Sequence, residues 1–509
     1  MRRARTSRVK SNRTTAGFRQ AASLQMRNSY APMQLLSEDQ IEAIHHASLE
    51  VLKTTGINFQ SARAVDILRT AGAEVDSDQH QVRFDPDWIM QTISTTPKEF
   101  ILHGRTTDRD LTIGGNAIAF AMVASPPHVS DLDRGRITGN FSDYCNLLRL
   151  GESINACQMQ AGYPVEPCDI DVNIRHLVAG EAAARLTTKP LKCYALGRQR
   201  VEDVIELIRI ARGIDHDTLL QQPSLITVVN ANSPLIYDGN LLEGAIIMAE
   251  HKQPVIYTPF TLAGAMAPIT LAGALVQQNA ECLAGLAFHQ CVNPGAPAIY
   301  GSFTSNVDMR SGSPAFGTPE YTQATIASGQ LARKYGIPVR ASNTNASNTV
   351  DAQAAYESQM SLWACILGQV NYVMHGLGWL EGGLCTSYEK VIMDAEMIQM
   401  LQAFLQPMEV NDASLAVEAI AEVGPGSHFF ASSHTMSRYQ KAFYDPMLSD
   451  WRNFENWRDA GAPDAAQRAN KIWKQVLADY QEPQLEPAID SELTDFVQRR
   501  ISEKGAAPD

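Results

Sequence analysis

The side chains able to do chemistry in this chain recur at one kind of place, where a short apolar run gives way to polar loop. Tyr163, Tyr257, Phe260, Phe303, Asn343, Asn345, His375 and Trp379 stand there, with Tyr194, Asn230 and Asn232 at equivalent points. The set is rings, amides and one histidine. A carboxylate pair, a lysine, a Cys–His pair and a metal-ligand cluster are all missing from these ends, so the groups for carboxylate hydrolysis, Schiff-base formation or metal-assisted chemistry are not expected. No residue is expected to act as nucleophile or general acid. Ring faces attract a cation that needs no counter-charge, at about 0.5–2 kcal/mol per ring. A small quaternary ammonium is the ligand such a set would hold. If it also carries a carboxylate, Asn343, Asn345, His375 and the main-chain N–H groups of Gly376 or Gly382–Gly383 could donate to it. Arg340 is read either as a further donor or as a buried structural charge, and Glu381 either as functional or as a loop or salt-bridge residue.

A repeated strand–helix unit must position these residues. Strands are expected at 117–124, 154–161, 190–196, 224–229, 254–258, 297–302, 338–341 and 371–374. Helical stretches at 141–152, 171–188, 199–213, 238–251, 269–291, 317–336 and 352–370 separate them, and 387–405 follows the last. Eight such units predict an α/β fold, a (β/α)8 TIM barrel over residues 116–410, whose chemistry sits where the strands end. A doubly wound open sheet is the rival, but its GxGxxG fingerprint does not follow an early strand. In front, 1–35 reads as a basic, extended arm and 36–115 as an N-terminal α/β region. Ser37 and Gln40 form a capping-box pattern ahead of a helix at 41–55. Residues 411–509 read as a C-terminal helical cap.

Composition narrows the class. With 45% apolar and 19% charged residues in 509, the chain is an ordinary globular protein with a large core. The net charge of −13 hides seven basic residues and no acid in positions 1–20. The acidic remainder argues against nucleic-acid binding by the main fold. The arm reads as solvated or lying across a neighbouring subunit, as a transit peptide, or as a nucleic-acid contact. The longest apolar run, 261–276, is interrupted by Pro268 and too short to span a membrane. Eight cysteines without a CxxC pair or zinc-ligand spacing imply a reducing, cytoplasmic setting.

Several local motifs, in order, resemble the trimethylamine methyltransferase (MttB) superfamily. They are Ile44-His45-His46, Leu52 to Ile57, Ala71 to Asp76, Asp351 to Glu357, His434-Thr435, and Trp457 with Gly461. The resemblance runs from about residue 35 to about 500 and includes the basic arm. It implies a TIM barrel that moves a methyl group from an amine to the cobalt of a corrinoid (cobalamin) carried by a separate corrinoid-binding protein; a homo-oligomer is expected as well. Founding members of the family carry pyrrolysine near the end of the strand corresponding to 338–341; here 342–350 holds ordinary residues, Ser-Asn-Thr-Asn-Ala-Ser-Asn-Thr-Val. That departure points to the branch resembling glycine betaine:corrinoid methyltransferase. Carnitine, proline betaine, γ-butyrobetaine or trimethylamine as donor, and a non-catalytic quaternary-amine-binding protein, are the alternatives.

Overall fold

In the computed structural model, which describes residues 19–76 and 78–506, a mixed α/β fold is built on one 12-stranded sheet. Its central strands are β1 (Ala117–Met122), β2 (Leu191–Lys192), β3 (Leu225–Asn232), β4 (Val255–Pro259), β5 (Ala298–Gly301), β6 (Val339–Ser342) and β7 (Tyr372–Leu377). Neighbours from β2 through β7 pair in parallel, and β7 pairs in parallel with β1. Between β1 and β2 in the chain runs an extended segment at 158–160. Met159 bridges Ala121, the Met122 N–H donates to the Met159 carbonyl at 3.0 Å, and the Gln160 N–H donates to the Pro190 carbonyl at 3.1 Å.

A helix follows β1, the 158–160 segment and each later strand. They are α1 (Phe141–Ser153), α2 (Arg175–Leu186), α3 (Arg198–Arg212), α4 (Gly239–Glu250), α5 (Leu271–Val292), α6 (Pro319–Tyr335), α7 (Ala352–Leu367) and α8 (Tyr388–Phe404). Two of the expected strands shrink. Helix α1 and the turn after it consume 154–157, leaving Met159 to pair, and 190–196 contracts to β2.

Side chains alternate across each strand, so two apolar layers form. Ala119, Ala121, Ile226, Ile256 and Ile299 face one another inside. Ile118, Phe120, Tyr257, Tyr300 and Val373 face the helices. A hairpin of Glu99–Leu102 and Leu111–Gly114 puts Leu102, Leu111 and Ile113 into the inner cluster, sealing it with apolar side chains.

The helix Glu38–Thr54 opens with the expected capping box and packs on α5. Ile57–Phe59 extends the main sheet by pairing with Ile236–Tyr237. Most of the basic arm, residues 1–18, lies outside the described residues; Arg19 pairs with Asp445 at 2.9 Å. Farther along, Met26–Arg27 pairs antiparallel with β1. The helix Ala465–Ala478 packs on α8 and α1, and Pro487–Ser502 packs on α3 and α2. Among the described residues no helix is long and apolar enough to cross a membrane.

Candidate active site at the strand ends

Past the C-terminal ends of the strands lies a cavity of about 480 Å³, a size suited to a small ligand. Ser125 reaches it from beyond β1, Lys192 from β2 and Tyr194 from just past it, Asn230 from β3, Thr258 from β4 and Phe260 from just past it. Phe303 follows β5, Arg340 lies in β6, Met374 and His375 lie in β7, and Trp379 stands just past it.

One wall is aromatic. Phe303 stacks on Phe260 at 5.4 Å between centroids, and Trp379 meets the edge of Phe303 at 6.4 Å. Phe316 packs behind both. The indole is clamped by a reciprocal pair: Trp379 Nε1 donates to the Asn345 carbonyl, and Asn345 Nδ2 donates to the Trp379 carbonyl, each at 2.9 Å. Gly383, with φ of 100°, lets the backbone pass the indole; a Cβ there would sit 2.7 Å from the ring.

Charges stand beside this wall. Buried Arg340 donates from Nη1 to the Ser302 carbonyl at 3.3 Å and from Nη2 toward Met374 Sδ at 3.4 Å. Its Nε has no partner, and its guanidinium lies 5.0 Å from the Phe303 centroid. Burial lowers its pKa. Lys192 Nζ sits 3.7 Å from the Tyr194 ring centroid and makes no hydrogen bond or ion pair with a described residue. Burial, assisted by the charge of Arg340, lowers the Lys192 pKa to about 8. His375 accepts the Ala124 N–H at Nδ1, 3.1 Å away, so the neutral ring carries its proton on Nε2. Burial first, then Arg340 and Lys192, hold its pKa well below the ordinary value. No described carboxylate lines this cavity.

Of the residues singled out in the sequence, Phe260, Phe303, His375 and Trp379 come together here. Tyr257 does not. Strand alternation turns it outward, where its hydroxyl lies 3.3 Å from His289 Nδ1, and gives Thr258 the inward place. Asn343 is turned outward as well, donating from Nδ2 to the Gly376 carbonyl and to Asp394 of α8. Asn345 is spent on the indole clamp and on Ser358 of α7. Their loop is fastened from behind by Glu357, which accepts the Ala346 and Ser347 N–H groups at 2.8 and 3.0 Å. Tyr163 stands behind Tyr194, their centroids 4.7 Å apart. Glu381 pairs with Arg136 at 2.9 Å.

The expectation of no lysine at a strand end is corrected by Lys192, which became an end residue because β2 stops there. Arg340 has no carboxylate partner among the described residues, against its reading as a paired structural charge. A sequence signal existed for both: a lone cation in a short, otherwise apolar run.

A second, smaller hollow of about 210 Å³ adjoins the first and shares Lys192 and Tyr194 with it. Tyr144, Tyr163, Glu166, Arg175 and His176 line it. Burial raises the Glu166 pKa, while Arg175, paired with it at 3.4 Å, and Lys192 oppose that shift. Among the described residues no group of three or more His, Cys, Asp or Glu side chains could hold a metal ion.

A family model described as trimethylamine methyltransferase (MTTB) matches residues 1–505. A glycine betaine methyltransferase of Desulfitobacterium hafniense (strain Y51) is 37% identical over 472 residues, 92% of this chain and 98% of that protein. The trimethylamine methyltransferase MttB of Desulfitobacterium hafniense (strain DSM 10664 / DCB-2) is 29% identical over 475 residues, 92% of this chain and 95% of that one. The crystal structure of the Methanosarcina barkeri monomethylamine methyltransferase (MtmB) matches with a TM-score of 0.52 over 88% of each chain at 12% identity, a likeness of fold.

Proposed function

Because this chain belongs to the trimethylamine methyltransferase (MTTB) family, we propose that it moves a methyl group from a quaternary amine, glycine betaine, to the cobalt(I) of a corrinoid carried by a separate partner protein, releasing dimethylglycine. The observation that carries the reading is a cavity with an aromatic wall and no described carboxylate. When the methyl–nitrogen bond of a quaternary ammonium breaks, the electron pair stays on nitrogen and a neutral tertiary amine leaves. The corrinoid cobalt supplies the nucleophile. This chain therefore needs neither a general acid nor a nucleophile of its own. Phe260, Phe303 and Trp379 hold and orient the ammonium, and the surrounding apolar side chains exclude water. Since the substrate's charge vanishes as the methyl leaves, a cage that gripped the cation too tightly would slow the step. Neutral His375 adds a polar group without adding a competing charge.

Ordinary residues at 342–350 support a donor that needs no activation, which separates a quaternary amine from trimethylamine. We read the parallel strands as a (β/α)8 barrel over 116–410, with an arm at 1–35, an α/β region at 36–115 and a helical cap at 411–509. The β7–β1 pairing and the Met159 bridge support closure. Exposed Phe430, Phe443 and Trp451 support a homo-oligomer, and eight free cysteines support a cytoplasmic setting. The test mixes the purified chain with a cobalt(I) corrinoid protein and follows the cobalt(I) absorbance. Loss of signal on adding glycine betaine, and none on adding trimethylamine, is the expected result. Loss with trimethylamine alone would defeat the reading.

A further inference from the structure

Helix α7 is an outer helix that turns no charge outward. Glu357 is the single charged residue in 352–370, and it points inward to hold the Ala346 and Ser347 N–H groups. On the other side Tyr356, Met360, Trp363 and Leu367 recur at helical spacing and form one stripe. Tyr356 is 59% exposed and Met360 39%. Helices α5 and α8 also turn no charge to solvent, but each is covered: Glu38–Thr54 packs on α5 and Ala465–Ala478 on α8. Helix α7 packs between α6 and α8, and among the described residues no helix lies over its stripe.

The apolar face continues past the helix. Trp363 meets Phe404 of α8 edge-on at 5.1 Å between centroids, and Tyr30 lies 5.5 Å from the same Phe404 ring. The Met33 N–H donates to the Leu367 carbonyl at 2.8 Å. Tyr30, Met33, Phe404 and, one turn before Phe404, Met400 are all exposed. At about 200 Å² for each large side chain, the exposed fractions of this face amount to roughly 650 Å². That exceeds the about 300–600 Å² of the largest apolar patch on an ordinary monomer. It comes near the about 800 Å² that each partner gives to a stable pair.

Building on the homo-oligomer reading above, we propose that this face is covered by the same face of a second copy, packed about a two-fold axis. A two-fold contact sets like patches together, and rings and thioethers without charge meet their own copy with no like-charge repulsion. Depletion of charge with enrichment of aromatics and methionine is the composition of an interface core. The corrinoid protein fits this face less well. It must come and go, whereas apolar faces of this kind belong to permanent contacts. It must also reach the strand ends, and no residue of the stripe lines the cavity there.

Sedimentation velocity of the full chain over a dilution series, without any corrinoid protein, reads the assembly. The unaltered chain is expected to run as a dimer or a multiple of one. Tyr356→Glu sets a charge from each copy into the contact, and should raise the concentration at which copies separate by about 10-fold or more, the worth of a central interface residue. Met360→Glu should act alike, and if either variant fails to fold the other carries the test. Phe430→Ser, on a separate exposed stretch, should leave the assembly in place. Assembly unchanged in both glutamate variants, or lost in Phe430→Ser alone, would overturn the α7 contact and leave the homo-oligomer reading standing. Weaker capture of a corrinoid protein by Tyr356→Glu, with the mass of the lone chain unchanged, would give the face to that partner and overturn the proposal. A monomer at every concentration would bring down both the contact and the homo-oligomer reading.

Discussion

The two hollows that meet at Tyr194 and Lys192 differ in how their charges are met. On the far side of the smaller one Arg175 and His176 each have an acid. Arg175 pairs with Glu166, and His176 donates from Nε2 to Asp203, which also accepts from Arg500 Nε at 2.7 Å. Burial works to raise the Asp203 pKa, but the His176 and Arg500 hydrogen bonds outweigh it and leave it lowered. In the larger hollow Arg340 and Lys192 form no ion pair with a described carboxylate, and no described carboxylate lines it. A balanced set needs nothing from outside and ties the helix Pro487–Ser502 to α2 and α3. An unbalanced set is incomplete until a ligand supplies the missing sign.

The comparison can be broken most sharply at its balanced side. Asp203→Ala leaves His176 without its acid and Arg500 with only the half-exposed Glu503, and should cost about 3–5 kcal/mol of stability, the usual penalty for breaking a buried pair. A thermal melt reads the loss, and betaine affinity in the surviving folded fraction should be nearly unchanged. A matching loss of affinity would mean the two hollows are not separable. On the unbalanced side Arg340→Met should do the reverse, with affinity falling while the melting temperature holds or rises. Trp379→Ala comes next. Removing one ring of the wall should weaken betaine and tetramethylammonium alike by about 2- to 30-fold, the range of one cation–ring contact. Equal effects on both ligands would separate the ring wall from the charged wall.

A smaller effect follows pH. Lys192 is charged below about 8 and neutral above it. It faces Arg340 and His375 across the cavity and Glu166 beside it, with Cys193 and Tyr194 on its own segment. Betaine affinity should therefore be full below that value and decline as pH rises through it. In Lys192→Arg that decline should disappear. The smallest expected effect is none: with the His375 pKa held well below 6.5, methyl transfer should show no step near that pH. A step there would mean the histidine takes up a proton during the reaction.

Much of the fold was legible because period and punctuation carried it. The capping box at Ser37 and Gln40 is present, and α1 through α8 lie within a few residues of their expected places. Strand lengths were less legible. Cutting 190–196 down to β2 made Lys192 a strand end, and a short apolar run does not reveal where its pairing stops. Among the site candidates, the aromatic residues of the 260, 303 and 379 loops reach the cavity, whereas Tyr257 fails by one position of strand parity.

Taken alone, the amino-acid sequence determined the repeating strand–helix units, the family likeness and the aromatic supply at the strand ends, since each depends on neighbours close along the chain. The tertiary structure decided which side chains face inward and which charges go unpaired. Asn343 and Asn345 turned to hold backbone and an indole, while Arg340 and Lys192, from strands 148 positions apart, came to face one cavity. Pairing and its absence are properties of three-dimensional neighbours, and a buried cation shows that it lacks an acid only once everything packed around it is in place.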